Sequence, residues 1–260
     1  MQARYGREAC DVARVTALDH YGSGPAKQRH FRETVFDQLL SNACSLKLRF
    51  LDLMQSILKS LRKEMRNRRR ALSPAQQQAH ARCVQRMVLS SGILNWSSRI
   101  ALYFPHDGEL DVTPLIERLL ESRKRVSVPR IRSATQMEFR QLASDQTLLD
   151  NRYGISEPDP STSRILPLWT HSVIFAPLVA FNDLGYRLGM GGGYYDRAMA
   201  ATRSQPLRIG LGHEIQYHPQ FQHEAWDIPM DAIITEKKIR VFSKRAAVSL
   251  RVEENTARGS

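Results

Sequence analysis

Cysteine is scarce in this 260-residue chain: Cys10, Cys44 and Cys83 are odd in number, far apart, and form neither a CxxC pair nor a His-rich cluster of metal-ligand spacing. A disulfide framework and a thiolate metal site are thereby excluded, and the three are expected to be reduced bystanders. Long apolar runs are missing too. No stretch approaches the roughly 18 residues that a membrane span needs, and the amino terminus lacks the compact apolar segment of a signal peptide. These absences imply a soluble, cytoplasmic protein with no membrane partner. Acidic residues are outnumbered, 26 against 38 lysines and arginines, for a formal charge of +12. Half of that excess lies in residues 59–70, "KSLRKEMRNRRR", with seven basic residues and one acidic. The basicity therefore belongs to one segment rather than to a whole surface. That segment contains no aromatic side chain on which a base stacks, so nucleic acid is not an expected partner.

What is present is a chain of 42% hydrophobic composition, enough for one α/β core of about 200 residues plus extensions. Residues 1–53 show no sustained period of 2 or 3.6, and they are expected to be either a disordered extension or upstream sequence that is not translated. From Met54 the pattern changes: Ile57, Leu58, Leu61, Met65 and Leu72 fall at helical spacing, with the basic residues on the remaining faces. Lys63, Arg66 and Arg68 through Arg70 accordingly read as a solvated basic face. "ALSPAQQ" breaks this helix and starts another, with Ser73 as N-cap, Pro74 first and Gln76 closing a capping box.

After "SSG" the chain alternates. Residues 99–104 and 125–129, "MEFRQL", "HSVIFAPLVAF", "LRIGLG" and "DAIIT" read as strands; "TPLIERLLES", capped by Thr113, and a segment from Tyr194 read as helices. This order implies an α/β fold, a doubly wound and mostly parallel sheet with flanking helices, whose ligand loops lie at the carboxyl ends of the strands. Residues 243–260 read as a polar tail. Trp169 and Trp226 are expected in the core or a pocket wall, and His106, His213, His218 and His223 have no assigned role.

The stretch "RLGMGGGYYDR", residues 187–197, places Gly189, Gly191, Gly192 and Gly193 between an apolar strand and a helix, where exposed backbone N–H groups form an anion cradle. Two familiar phosphate loops are excluded by counting. A dinucleotide fingerprint needs glycine where Tyr194 stands, and a P-loop needs a Gly-Lys-Ser/Thr that is absent. By itself such a loop is often only a tight turn, since glycine supplies positive φ.

Taken with its neighbours, "PLVAFNDLGYRLGMGGGYYDR" resembles the signature of the 5-formyltetrahydrofolate cyclo-ligase family, also called methenyltetrahydrofolate synthetase. "KSLRKEMRNRRRALS", "YFPHDGELD" and "EAWDIPMDAIIT" agree in order and spacing, so the resemblance spans residues 54–242. It departs at Met190 and Gly192, where many relatives carry a basic residue. The resemblance implies a fold of the NagB/RpiA/CoA-transferase-like group and an ATP-dependent ring closure, in a monomer, of 5-formyltetrahydrofolate, polyglutamylated or not, to 5,10-methenyltetrahydrofolate, giving ADP and phosphate. An amide-like formyl oxygen is a poor leaving group. Phosphorylation activates it, and the neighbouring amine then attacks, leaving the protein to position groups and neutralise charge.

The resemblance also implies roles. Lys59, Arg62, Arg187, Leu188, Gly189, Met190, Gly191, Gly192, Gly193, Tyr194 and Tyr195 would contact ATP, with Tyr194 and Arg187 at the chemistry. Phe104 and Glu109, with Met190, residues 191–193 and Tyr194, would contact the folate. Asp196 and Asp231 would hold Mg²⁺. Read without the resemblance, Asp196 is a helix-end carboxylate, Asp231 a turn residue before a strand, Asp107 and Asp111 loop caps, and one of the two tyrosines a core residue. Two other functions remain open at this level: an RNA-binding or regulatory protein using the basic helix, and an ATP-dependent kinase of another small molecule.

Overall fold

The helical period read from Met54 belongs to a longer helix, α1 (Ala26–Arg70). The computed structural model describes residues 26–202 and 206–250, so Cys10 and the expectations for residues 1–25 and 251–260 fall outside it. Two units are distinguished, Met1–Ser60 and Leu61–Ser260, and every strand lies in the second. Helical backbone begins well ahead of Met54, within the stretch expected to be an extension outside the core. Among the described residues no helix is long and apolar enough to cross a membrane.

The break after α1 is the expected one. Helix α2 (Pro74–Ser90) opens with Pro74, the Ser73 side chain accepts from Gln76 N–H, and the Gln76 side chain accepts in return from Ser73 N–H. A single turn, α3 (Ile93–Trp96), leads into β1 (Arg99–Ala101). Helix α4 (Thr113–Glu121) starts at Thr113 rather than being capped by it: Thr113 N–H donates to Asp111 Oδ1 at 2.9 Å, so Asp111 is the capping side chain.

Strands β2 (Arg125–Ile131), β3 (Met137–Gln141), β4 (Leu148–Asp150), β5 (Ser156–Pro158), β6 (Val173–Pro177), β7 (Ala180–Phe181) and β8 (Arg187–Leu188) follow. The chain then runs through α5 (Tyr194–Ala200), β9 (Leu207–Leu211), β10 (Ala232–Ile234), β11 (Ile239–Val241) and α6 (Lys244–Leu250). The central sheet has the order β11-β10-β9-β6-β1-β2-β3; its five inner strands are parallel and its two edges antiparallel. Strands β4 with β5, and β7 with β8, form small antiparallel hairpins that the apolar pattern does not single out.

Both faces of the sheet are buried, which explains why β6 reads as a continuous apolar run. Val173 and Phe175 join one core with Ile100, Val84 of α2, Leu115 of α4 and Leu250 of α6. The alternate residues Ile174 and Ala176 join a second core with Ala101, Phe139 and Met199 of α5. Period-2 side chains thus divide between two layers of helices. The expected polar tail needs correction over α6, where Ala246 and Leu250 are buried because their i,i+4 spacing presents them to the first core. Trp169 and Trp226 are 66% and 56% exposed, so neither is a core residue.

In chain order the parallel strands are β1, β2, β6, β9 and β10, lying in space as 2-1-3-4-5. The direction of winding reverses between β1 and β6. Loops leaving the carboxyl ends of two such strands run apart and leave a crevice, the usual ligand position in an open α/β sheet.

Candidate functional site

That crevice holds a cavity of ≈ 360 Å³. Tyr103, Phe104 and Glu109 enter it from the loop after β1, Leu178 from the end of β6, and Arg187 and Tyr194 from the glycine stretch. Its volume and mostly apolar walls suit a small aromatic ligand. A larger cavity of ≈ 600 Å³ lies on the amino-end side of the sheet around Trp96, Leu207 and Arg245; none of the expected site residues lines it.

Glu109 is one of the ionisable groups that line the main cavity. Its side chain is 11% exposed, Oε2 accepts from His106 N–H at 3.2 Å, and the Arg69 guanidinium lies 3.8 Å from Oε1. Burial outweighs the attraction of Arg69 and lifts the carboxyl from 4.5 to about 7.

Arg69 is where the expectation of a solvated basic face fails. It is wholly buried, and with Arg66 and Arg70 it clamps Asp107. Arg66 Nε donates to Asp107 Oδ2 at 2.6 Å, Arg69 Nη2 to the same oxygen at 3.1 Å, Arg69 Nε to the Asp107 carbonyl at 2.8 Å, and Arg70 to Oδ1. Asp107 takes a positive φ of 57°, which aspartate tolerates better than most residues. Although burial favours its proton, Arg66, Arg70 and Arg69 hold the carboxyl below its usual range. The missed signal lies in the spacing. Leu61, Met65 and Arg69 recur every four residues on one helical stripe, so Arg69 takes a core position by register.

Gly191 and Gly193 have φ of 100° and 62°, which favour glycine, and a Cβ at Gly192 would meet the Tyr194 ring at 2.8 Å, so a side chain there would need that ring to shift. Among the described residues, none accepts a hydrogen bond from the backbone N–H of Met190, Gly191, Gly192 or Gly193. Four donors are left for a ligand. Arg62 reaches this loop, with Nε donating to Gly189 O at 3.0 Å. Lys59 falls in the unit ending at Ser60, separate from the loop's unit.

Leu188 is buried in the β7–β8 hairpin, which carries the loop, while Met190 is exposed at the cavity rim. Arg187 is buried, donates from Nη2 to Asp196 Oδ1 at 3.0 Å, and has an Nε with no hydrogen-bond partner among the described residues. The two tyrosines divide their work. The Tyr194 hydroxyl is committed to Ser133 O at 3.2 Å, leaving its ring as wall, whereas Tyr195 packs edge-on against Phe139 with a buried hydroxyl lacking a partner.

The carboxylates pair differently from the expectation. Asp231 precedes β10 and so stands at the amino end of a parallel strand, away from the crevice. Arg245 Nη2 and Arg208 Nε approach its Oδ2 at 2.5 and 3.2 Å, and Arg245 Nε approaches Oδ1 at 2.8 Å. Burial opposes its charge, yet the two arginines hold it below the usual range. Its oxygens thus face Arg208 and Arg245 at the amino end of the sheet, whereas Asp196 lines the crevice. The carboxylate beside Asp196 is instead Asp227, from the same segment "EAWDIPMD": burial raises its proton affinity first, and the Asp196 charge raises it further. Ile228 N–H also donates to Asp196 Oδ1 at 3.3 Å.

Residues 55–236 match the model of the 5-formyltetrahydrofolate cyclo-ligase family. The 5-formyltetrahydrofolate cyclo-ligase of Escherichia coli K12 is 37% identical over 180 residues, covering 67% of this chain and 98% of its own. The Haemophilus influenzae enzyme of that name is 33% identical over 177 residues, covering 67% and 95%. Among solved structures, the NMR structure of Aquifex aeolicus 5,10-methenyltetrahydrofolate synthetase aligns with a TM-score of 0.65 at 31% identity, over 72% of this chain and 93% of that one. The signature read in the glycine stretch thus extends through the whole crevice-forming domain, and the chain belongs to the 5-formyltetrahydrofolate cyclo-ligase family.

Proposed function

We infer that this protein converts 5-formyltetrahydrofolate to 5,10-methenyltetrahydrofolate at the expense of ATP, releasing ADP and phosphate. The γ-phosphoryl group passes from ATP to the formyl oxygen. The neighbouring ring-chain amine then attacks the activated carbon, forming a C–N bond, breaking the C–O bond to phosphate and losing its proton. One observation carries this reading: a single crevice joins a buried carboxyl on an apolar wall to a loop with four uncommitted backbone donors.

The pteridine enters between the apolar walls, and Glu109 accepts from its donor edge; two parallel hydrogen bonds to one carboxylate specify that edge. The amides of residues 190–193, together with Arg62, take the phosphates. The unpartnered Nε of Arg187 is a donor for charge that develops on the transferring group, and it costs no reorganisation because Asp196 already fixes the guanidinium. Asp196 and Asp227 suit Mg²⁺: both offer hard oxygen donors, and their mutual repulsion is relieved by a cation. Bound there, Mg²⁺ would neutralise phosphate charge. The substrate chemistry is read more directly here than a phosphoryl transfer to another small molecule, since Glu109 faces an aromatic-sized cavity.

Purified protein mixed with MgATP and 5-formyltetrahydrofolate should develop methenyl absorbance, and omission of ATP should abolish it. Asp196→Asn should lose orders of magnitude in kcat with little change in Tm, because the amide keeps the shape and removes the charge. Absence of the chromophore with folded wild-type protein would remove this reading.

A further inference from the structure

Outside the crevice, one group of side chains converges without a role in the chemistry above. His80 comes from α2, His213 follows β9, and Glu236 follows β10. Their ligand atoms all lie within 4.8 Å of one another. His80 Nδ1 stands 3.0 Å from His213 Nδ1 and 3.7 Å from Glu236 Oε1. Four-coordinate zinc with bonds of about 2.0–2.2 Å separates its ligands by about 3.3–3.5 Å, so these gaps bracket what one ion spans. We propose that His80, His213 and Glu236 form a binding site for a divalent transition metal of the zinc class, outside the crevice.

The surroundings have the features of a built site. Glu236 Oε2 accepts from Glu214 N–H at 2.9 Å, which orients the carboxylate and leaves Oε1 toward His80. His213 is fully buried, and its backbone N–H donates to Gln216 Oε1 at 2.8 Å, which holds the turn that presents the ring. His213 Nε2 has no hydrogen-bond partner within range among the described residues. A metal on Nδ1 places the ring proton on Nε2. A shared proton between the two Nδ1 atoms is the competing account of the 3.0 Å approach. It leaves Glu236 Oε1 3.7 Å from His80 Nδ1, beyond hydrogen-bond range, whereas a divalent ion engages all three groups. Two imidazoles and one carboxylate suit Zn²⁺ or Co²⁺ rather than Mg²⁺, with the fourth position left to water. His80 and Glu236 are 19% and 11% exposed, so an ion has a way in. The bound ion would clip α2 to the carboxyl ends of β9 and β10 beside the loop that carries Gly108. The inference stands independently of the proposed reaction.

The full chain, stripped with a chelator and dialysed, is titrated with Zn²⁺ against a chromogenic indicator. One ion per chain should bind. His80→Ala and Glu236→Gln should each weaken binding at least about tenfold, and Cys83→Ser should bind as wild type. Failure of the wild-type chain to compete with the indicator, or wild-type affinity in both His80→Ala and Glu236→Gln, overturns the site. X-ray absorption of the Co²⁺-loaded wild-type chain gives a test that needs no variant to fold. Two imidazole shells and no sulfur are expected; one imidazole or none, or a sulfur ligand, rejects it.

Discussion

Glu109 is a carboxyl whose proton affinity the fold raises until both protonation states are populated near neutrality. Because its folded value of about 7 lies above the ordinary 4.5, its contribution to stability is fully present below 4.5 and is lost as pH rises through about 7. Folate binding should show the opposite trend, since only the ionised form accepts from two donors. The KM for 5-formyltetrahydrofolate should therefore fall as pH rises through about 7. In Glu109→Gln the folate KM should rise and this pH dependence should flatten, while the KM for ATP stays near wild type. Initial rates at fixed saturating ATP across the pH range check this. An unchanged pH profile in the variant would assign the dependence to another group.

At the scale of the element, the carboxyl-terminal turns of α1 decide how the loop after β1 is held. Three arginines from one helix converge on one aspartate, and Arg69 is buried with it. Arg69 is buried but Arg66 and Arg70 are 35% and 51% exposed, so removing the shared partner costs less than breaking a fully buried pair, about 1–3 kcal/mol. Asp107→Asn keeps the tolerance for positive φ and removes only the charge, so a loss at the lower end of that range is expected, measured by denaturant unfolding at neutral pH. A second effect follows at a distance. The Asp107 charge helps to raise Glu109, so in Asp107→Asn the pH break in the folate KM should move down. The basic composition of residues 59–70 was legible in the sequence, but the partition of its arginines was not, because charge counting gives no register. The apolar stripe through Leu61 and Met65 does give it, and Arg69 falls on that stripe.

For the whole molecule, winding order places the chemistry. The reversal between β1 and β6 brings residues near 104–109 to residues 177–196, and no local pattern in either segment specifies that meeting. The family match begins at residue 55, and relatives matched over 98% of their own length cover only 67% of this chain. A chain beginning at Met54 should accordingly fold and keep full cyclo-ligase activity, whereas one beginning after Arg70 should lose it, since Arg62 leaves the glycine loop and Arg66, Arg69 and Arg70 leave Asp107. Activity and Tm of the two shortened proteins check this. Loss of activity on starting at Met54 would show that the preceding residues contribute to the domain.

The sequence by itself determined the alternation of strands and helices, the capping box at Ser73, the glycine loop between β8 and α5, and the family signature. These depend on the backbone period and on neighbours a few residues away. Tertiary structure alone decided which carboxylates meet. Asp231 and Asp227 stand four positions apart in one segment, yet the direction of β10 puts Asp231 at the amino end of the sheet with Arg208 and Arg245, and Asp227 beside Asp196. It also decided that Arg69 is core and that His80 meets His213 across 133 residues of chain. Local spacing selects the face on which a side chain lies. Its partner depends on which strands become neighbours and in which direction they run, and those are set by packing of the whole sheet.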